Sequence, residues 1–286
     1  PLKSFPDKQK LFRKRIVIMF EFSEIQNNYY LLPLIGFVIG IFGTILGGGG
    51  GFFFIPILTL WFAVPAQTAV MTSLVATLPI TLVGSVSHYR MKNIDVRVAA
   101  VFIAGGLIGA VAGARITGWV TEAQLKVAFG IYSILMGFGI ALRSRKKKET
   151  GNLAEALNKH ESNRMIAKGS FFGLVAGTIT GAFGTSGTMP VIAGLYSMKI
   201  PLKVIIGTSL LVVLFNSIFA ISAHLFIGRV DVTLVSFLTA GSVIGALGGP
   251  GILSRMKIGN KAESTAAFWY AATMIIIGIL MILGRN

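Results

Sequence analysis

The sequence predicts an all-α polytopic membrane protein built from two internal repeats, and three observations support this fold class. Of its 286 residues, 54% are hydrophobic and 13% are charged, and the mean hydropathy is +0.78. Soluble domains are about 25% charged, so this balance is typical of a chain that crosses a bilayer. The second observation is a set of long apolar stretches, and the third is a residue pattern that recurs 136 positions later.

Six apolar stretches approach the length of a membrane-spanning helix, which needs about 20 residues. They are 66–86, 96–116, 127–142, 204–227, 232–253 and 266–283. Two further stretches, 31–61 and 169–196, are apolar but interrupted by Gly, Thr, Ser and Pro. We predict a broken helix in each of these two. Residues 1–30 form a basic tail whose apolar run is too short to span, so we expect this tail to be exposed or interfacial.

The repeat appears when the chain is compared with itself at the offset of 136. The matched pairs are Thr72 and Thr208, Ser73 and Ser209, His88 and His224, Asp95 and Asp231, Gly48 and Gly184, and Gly51 and Gly187. The sequence therefore predicts a first transmembrane repeat at 31–142, a charged cytoplasmic linker at 143–168 and a second transmembrane repeat at 169–286.

Each broken segment is predicted to be a re-entrant pair of half-helices that turns at its glycines. In the first repeat the pieces beside the glycines have about 16 and 11 residues, or roughly 24 and 16 Å of helix. Neither piece crosses a hydrocarbon core of about 30 Å. Each repeat then contains one hairpin and three spans, and this odd number of crossings predicts that the second repeat is inverted. A single unwound span would instead give four crossings and parallel repeats.

The distribution of basic residues favours inversion. Cytoplasmic loops carry an excess of Lys and Arg, and a cytoplasmic linker in an inverted arrangement brings eight basic loop residues to the same side. These residues are Arg90, Lys92, Arg97, Lys199, Lys203, Arg255, Lys257 and Lys261. The basic tail is the exception, because this arrangement places it outside. Membrane topology explains the surplus of 26 Lys and Arg over 10 Asp and Glu, so we predict a lipid bilayer as partner and no nucleic acid.

Glycine-rich turns at membrane depth offer backbone N–H groups to an anion. Non-helical backbone is tolerated there only when it is buried in protein or lines an aqueous cavity, and helix N-termini attract negative charge. The predicted substrate-binding residues are Gly47, Gly48, Gly49, Gly50, Gly51, Gly184, Thr185, Ser186, Gly187, Thr72, Ser73, Thr208, Ser209 and Asn216. The alternative for the Thr-Ser pairs and for Asn216 is hydrogen bonding or packing between helices.

The ionisable residues favour an anion as the substrate. No carboxylate falls in the middle of a predicted span, where proton and cation pathways usually place one. His88 and His224 stand at matching span ends and are candidates for a proton-linked role, with a helix-end hydrogen bond as the alternative. Asp95 and Asp231 precede spans and are predicted to cap them. The chain has no cysteine, no HExxH motif and no paired Asp, so we predict no catalytic residue, metal site or cofactor.

The sequence resembles the sulfite exporter TauE/SafE family of membrane transporters. The first repeat carries the resemblance in GTILGGGGGFFFIPIL, AVMTSL, HYRMKNIDVR and GGLIGAVAGARI, and the second carries it in GTITGAFGTSGTMP, VIIGTSL, GRVDV and GSVIGALGG. The resemblance covers about 34–142 and 169–283. It implies export of a small sulfur-containing anion, such as sulfite or an organosulfonate, and matches the family pattern at the two glycine-rich segments. GTSGT replaces the run of glycines in the second repeat.

These observations predict a secondary transporter in the cytoplasmic membrane that exports the anion by alternating access, and not an enzyme. The alternative is an anion channel or an uptake permease for sulfate-like or thiosulfate-like anions. A homo-oligomer is compatible with the sequence, which leaves the oligomeric state open.

Overall fold

The computed structural model describes residues 20–144, 159–225, 228–255 and 260–284. Within these ranges a 3₁₀ turn at Asn27–Leu31 precedes the first of ten α-helices, and a π-helical turn at Ile57–Trp61 continues the second. The helices are α1 (Leu32–Ile45), α2 (Gly51–Pro56), α3 (Ala66–Arg90), α4 (Val96–Thr117), α5 (Glu122–Ser144), α6 (Lys159–Phe183), α7 (Thr188–Ser197), α8 (Leu202–His224), α9 (Val232–Arg255) and α10 (Asn260–Leu283).

Seven helical segments of the described chain have the length and composition to cross a membrane. Three are in the first repeat after its hairpin, two are in the second, and two are the first arms of the broken segments, Asn27–Ile45 and Asn163–Phe183. The fold class is confirmed: the protein is an all-α, multi-pass membrane protein.

The first broken segment folds back on itself as a helical hairpin, which is compatible with a re-entrant segment. The rings of Tyr29, before α1, and Phe62, after the π-helical turn, are 5.4 Å apart, so the two open ends lie together. At the other end, a Cβ on Gly49 would meet the side chains of Thr77 and Thr81, which lie near the middle of α3. The turn therefore lies beside the middle of α3.

The second broken segment has the same form but a longer first arm. Lys168 Nζ in α6 lies 3.2 Å from the carbonyl oxygen of Ser197 at the end of α7, which places the open ends together. α6 nevertheless starts at Lys159, within the range 143–168 that the sequence assigns to the linker. Residues 159–167 extend the helix beyond the hairpin, and a hydropathy pattern does not reveal them because they are largely polar. The linker residues 145–158 lie outside the described residues.

The helix directions agree with inverted repeats. α5 and α10 are equivalent helices, each the last of its repeat, and they pack against one another. Gly130 approaches Gly278, whereas Gly137, further along α5, approaches Ala271, which is earlier in α10. The two helices are therefore antiparallel, which is the relation that inversion requires.

The repeats interlock through two close-packed helix pairs, α1 with α9 and α4 with α6. Small residues let helix backbones approach closely in membranes, and a Cβ on many glycines here would collide with a carbonyl group of the facing helix. In α1 and α9 these contacts are Gly36 with Leu238, Gly40 with Ser242, Gly241 with Pro33 and Gly245 with Phe37. In α6 and α4 they are Gly173 with Phe102, Gly177 with Gly106, Gly105 with Ser170 and Gly109 with Leu174. The residues of the two sets correspond at the offset of 136, to within one residue. The two helix pairs therefore pack through equivalent contacts.

A two-stranded ribbon fixes the described end of the N-terminal tail. Phe20–Glu21 (β1) pairs in parallel with Val230–Asp231 (β2), between α8 and α9, and Glu21 lies 3.5 Å from Arg229. α8 begins at the end of the bundle at which α5 finishes, and it ends at the opposite end. Because β2 follows α8, the ribbon lies at that opposite end. This agrees with a tail on the side opposite the linker. Residues 1–19 of the tail lie outside the described residues.

We expect Gly245→Ala in α9 to destabilise the protein by about 1–3 kcal/mol, the usual effect of overpacking a close contact. Its new Cβ would collide with the carbonyl oxygen of Phe37, whereas a Cβ on Gly248, one turn away, meets nothing within 4 Å. Gly248→Ala is the matched control, and helix propensity alone makes it neutral or stabilising by up to about 1 kcal/mol. The apparent midpoint of thermal unfolding in detergent measures both, and equal midpoints would contradict the interlocking contact.

Candidate anion site between the two glycine turns

The two glycine turns, Gly47–Gly51 and Gly184–Gly187, meet in the interior of the protein. The backbone N–H of Gly51 donates to Ser186 Oγ at 3.2 Å. Ser73 Oγ lies 3.0 Å from the carbonyl oxygen of Gly184 and 3.2 Å from that of Gly51, so it contacts both turns. All of these atoms are buried, and the structure therefore brings the two predicted substrate-binding turns to one place.

Each repeat satisfies a backbone carbonyl of the other repeat's turn. Ser209 Oγ in α8 lies 2.8 Å from the carbonyl oxygen of Gly47, and Ser73 Oγ in α3 makes the equivalent bond to Gly184. Both serines have an exposed fraction of 0%. The equivalent hydrogen bonds show that these serines hold the turns in place.

The threonines of the Thr-Ser pairs bond to backbone just before α4 and α9, and each threonine lies in the repeat opposite to the helix that it contacts. Thr208 Oγ1 accepts from the backbone N–H of Asp95 at 3.0 Å, and Thr72 Oγ1 accepts from that of Asp231 at 3.1 Å. The Asp95 carboxylate in turn accepts from the N–H of Val98 in the first turn of α4 at 3.0 Å.

Asp231 makes the same cap at 3.1 Å from the N–H of Leu234, so both predicted N-caps form. The structure thus gives all four Thr-Ser hydroxyls a hydrogen bond to backbone. Direct contact between the Thr-Ser pairs and a substrate stays a prediction.

Glycine stands at the N-cap of both half-helices that return from the turns. Gly50 precedes α2 with φ of 81°, and Gly187 precedes α7 with φ of 53°, both in the left-handed region that glycine adopts readily. Ser, Thr, Asp and Asn are preferred at this position because their side chain accepts a hydrogen bond from a first-turn N–H group, and glycine has no such side chain. No side chain of the N-cap residue therefore covers the first-turn N–H groups of these half-helices.

A small cavity of about 20 Å³ lies between the turns, which is room for about one water molecule. Backbone of the first turn and hydroxyls of the second line it, together with apolar and aromatic side chains from α2, α5, α7 and α10. The described lining residues are Gly43, Leu46, Gly48, Gly50, Phe52, Phe53, Tyr132, Thr185, Ser186, Thr188, Met189, Tyr270 and Met274.

Two hydroxyls beside the turns have no hydrogen-bond partner among the described residues. Thr188 Oγ1 lines the cavity on a residue whose exposed fraction is 8%, and Thr77 Oγ1 lies 3.0 Å from the position of a Cβ on Gly51, on a residue exposed by 1%. Buried polar groups are normally paired. An unpaired hydroxyl aimed into a cavity points to a ligand or a water molecule.

Tyr132, Tyr270 and Thr188 line the cavity but are absent from the residues that the sequence nominates. Tyr132 interacts with the side chain of Thr185, and Tyr270 contacts Phe53 with ring centroids 5.9 Å apart. Both tyrosines are polar residues within otherwise apolar spans, and this was the signal available to find them. Whether these tyrosines line the cavity depends on which faces of α5 and α10 point into the protein. A span that is apolar on all sides does not indicate which face points inward.

The three phenylalanines after the first turn anchor its return half-helix. Phe52 stacks on Phe129 of α5 with ring centroids 5.6 Å apart, and Phe53 contacts Tyr270 of α10. Phe54 is fully buried in the core beside α3. The aromatic contacts therefore fix the N-terminus of α2 against the helices that end each repeat.

Asn216 and the two histidines lie outside the lining of the cavity. Asn216 is fully buried in α8 against Gly106 of α4, and neither atom of its amide has a partner among the described residues. His224 Nε2 lies 2.7 Å from the carbonyl oxygen of Gly181, one turn before the second glycine turn. His88, its repeat equivalent, is equally buried, but neither ring nitrogen has a partner within the described chain. Substrate contact by Asn216 and a proton-linked role for the histidines stay predictions.

Comparison with known proteins identifies the family to which the chain belongs. The family model described as sulfite exporter TauE/SafE matches residues 32–281, which include both glycine turns and nearly all of both repeats. The chain belongs to the sulfite exporter TauE/SafE family. The resemblance carried by the two glycine-rich motifs is thereby confirmed.

Curated relatives of this TauE/SafE protein are named as transporters. The probable membrane transporter protein YdhB of Bacillus subtilis is 27% identical over 76% of this chain and 86% of its own length. The probable membrane transporter protein YunE of the same organism is 24% identical over 89% of this chain and 97% of its own. A third, MJ0441 of Methanocaldococcus jannaschii, is 29% identical over 68% and 72%. No solved structure matches the chain. Family and relatives together indicate a membrane transporter.

We expect Ser73→Ala to destabilise this TauE/SafE protein by about 1–3 kcal/mol, because it leaves the buried carbonyl group of Gly184 unpaired. Ser236→Ala is the matched control, since the Ser236 hydroxyl lies on the outer surface of α9 and bonds only the carbonyl oxygen of Val232 in its own helix. Thermal unfolding in detergent compares the two variants. A Ser73 variant as stable as the control would show that this hydrogen bond does not hold the turns.

Proposed function

We propose that the protein is a secondary transporter that exports a small sulfur-containing oxyanion, sulfite or an organosulfonate, across the cytoplasmic membrane by alternating access. The family supports a small sulfur anion as the substrate. The observation that carries the proposal is the cavity at which the N-termini of two half-helices, one from each repeat, converge.

The donors around this cavity suit an oxyanion. The half-helices Gly51–Trp61 and Thr188–Ser197 both begin there, and helix N-termini stabilise negative charge. Thr185, Ser186 and Thr188, each with a hydroxyl group, line the same space. Secondary transporters with inverted repeats bind substrate in this way, between broken helices near the bilayer midplane.

The size of the cavity and the contact between the turns support alternating access. A cavity of about 20 Å³ holds about one water molecule, whereas an oxyanion with four or more heavy atoms needs more room. The cavity must therefore widen to admit the substrate, and separation of the turns with loss of the hydrogen bond between Gly51 and Ser186 would widen it. Rocking of one repeat against the other would open the site to one side at a time.

The direction of transport is consistent with the charges at the end of the bundle at which α5 finishes and α6 begins. Exposed basic residues concentrate at this end, and with a cytoplasmic linker they attract anions to the inner entrance. An inside-negative potential then drives a monovalent anion outward by about 2.3 kcal/mol per 100 mV. These residues are Arg90, Lys92, Arg97, Lys199 and Lys203.

The test is transport into proteoliposomes that contain the purified protein. Labelled sulfite is supplied outside, and sulfate, thiosulfate and alkanesulfonates compete for it. We expect saturable uptake and faster uptake when unlabelled substrate is loaded inside, because a carrier exchanges one substrate for another. Flux that neither saturates nor responds to internal substrate would indicate the alternative, a channel. No flux and no binding for any of these anions would overturn the proposal.

We expect Thr188→Val to raise the half-saturating substrate concentration by about tenfold or more. The substitution keeps the shape of the side chain but removes a donor to a charged ligand, and hydrogen bonds to charged groups contribute about 1.5–3 kcal/mol. Thr273→Val is the matched control, because Thr273 lies on the outer surface of α10 and bonds only Trp269 in its own helix. Unchanged transport in the Thr188 variant, with the control also unchanged, would remove Thr188 from the site.

A further inference from the structure

The charge of the cavity lining distinguishes between classes of oxyanion. All described residues that line it are uncharged, and its polar groups are backbone amides and the hydroxyls of Thr, Ser and Tyr. Phe52, Phe53, Met189 and Met274 form its apolar wall. An anion here is therefore held by dipoles and not by an opposite charge.

The fixed dipoles supply about one positive charge between them. Each helix N-terminus is equivalent to roughly half an elementary charge, and the effect is confined to the first turn. The half-helices Gly51–Trp61 and Thr188–Ser197 both present this end to the cavity. The unpaired hydroxyl of Thr188, on a residue more than nine-tenths buried, adds a donor at the same point and marks it independently as a ligand position.

A basic side chain on one of the helices around the cavity adds little positive potential. Lys126 of α5 lies in a neighbouring pocket with Phe129, on which Phe52 stacks. Its amino group is 3.4 Å from the carboxylate of Glu122. The pair is neutral as a whole, so it does not compensate a second charge on the substrate.

A second negative charge on the substrate would cost more than it gains. The cost of removing an ion from water grows with the square of its charge, whereas its attraction to fixed dipoles grows only in proportion to the charge. Doubling the charge thus quadruples the desolvation cost and only doubles the attraction. A site of neutral donors with an apolar wall favours a single charge.

We infer that the site selects singly charged oxyanions, so that hydrogensulfite and alkanesulfonates are carried in preference to sulfite dianion, sulfate and thiosulfate. The inference rests on the proposed transport function and specifies the charge state of its substrate. Hydrogensulfite and sulfite differ only by one proton. Sulfite therefore provides both charge states of a single compound.

The test compares labelled methanesulfonate, sulfate and sulfite in the same proteoliposomes. Methanesulfonate carries one charge and sulfate two at every pH used, so we expect the transport rate per unit concentration to be higher for methanesulfonate by about tenfold or more. At fixed total sulfite, we expect uptake to fall from mildly acidic to mildly alkaline pH as hydrogensulfite loses its proton. Methanesulfonate uptake over the same range is the control for a pH effect on the protein, including its cavity tyrosines and the two histidines.

Met274→Lys places a positive charge on the apolar wall and Met274→Leu does not, so these variants form a matched pair. We expect the lysine variant to raise sulfate transport relative to methanesulfonate and the leucine variant to leave the ratio unchanged. If the lysine variant does not fold, the comparison of methanesulfonate, sulfate and sulfite in the wild-type protein still tests the inference. Sulfate carried as well as methanesulfonate, with sulfite uptake independent of pH, would overturn the inference and leave the transport function intact. Absence of flux for all three anions would overturn both.

Discussion

Every backbone polar group that lies at membrane depth needs a partner within the protein or its water-filled cavities, and this requirement organises the structure. A helix meets it internally, but a glycine turn does not. Here the carbonyl groups of Gly47 and Gly184 are satisfied by Ser209 and Ser73, each from the opposite repeat. Ser73 also lies 3.2 Å from the carbonyl oxygen of Gly51 in its own repeat, so it joins the two turns. The pairing of repeats is thus what permits two non-helical turns inside the bilayer, and the cavity follows from their meeting.

The same pairing explains where the glycines of the long helices lie. Reciprocal hydrogen bonds between repeats require the helices that carry the turns to approach closely, and α1 with α9 and α4 with α6 do so through matching rows of glycine. Close packing replaces the hydrophobic effect as the source of association inside a membrane. The glycines of the helices and those of the turns therefore have different roles in one assembly.

Local and repeated signals made much of this fold predictable. The run of five glycines and its counterpart at Gly184 to Gly187 predicted the broken segments, and Asp95 and Asp231 predicted helix caps that the structure contains. The start of α6 at Lys159 was not predicted, because hydropathy marks only the part of a helix that lies in lipid.

Residues that line the cavity only because of tertiary packing were not predicted. Tyr132, Tyr270 and Thr188 line the cavity because of how α5, α7 and α10 are rotated, and an apolar sequence does not specify that rotation. The repeat pattern also treats His88 and His224 as equals, whereas only His224 bonds a carbonyl group beside a turn within the described chain. The sequence thus indicated the two turns that meet, and packing between the repeats decided which hydroxyls lie beside them.

Interlocking across the repeats also has a consequence for biosynthesis. The ribosome completes α1 long before α9, and the turn after α1 enters the membrane before the serine that will bond it has been made. Contacts between distant parts of a chain form late and leave exposed intermediates in the meantime. The half-synthesised protein therefore carries an unpaired turn and an uncovered row of glycines until the second repeat has been made.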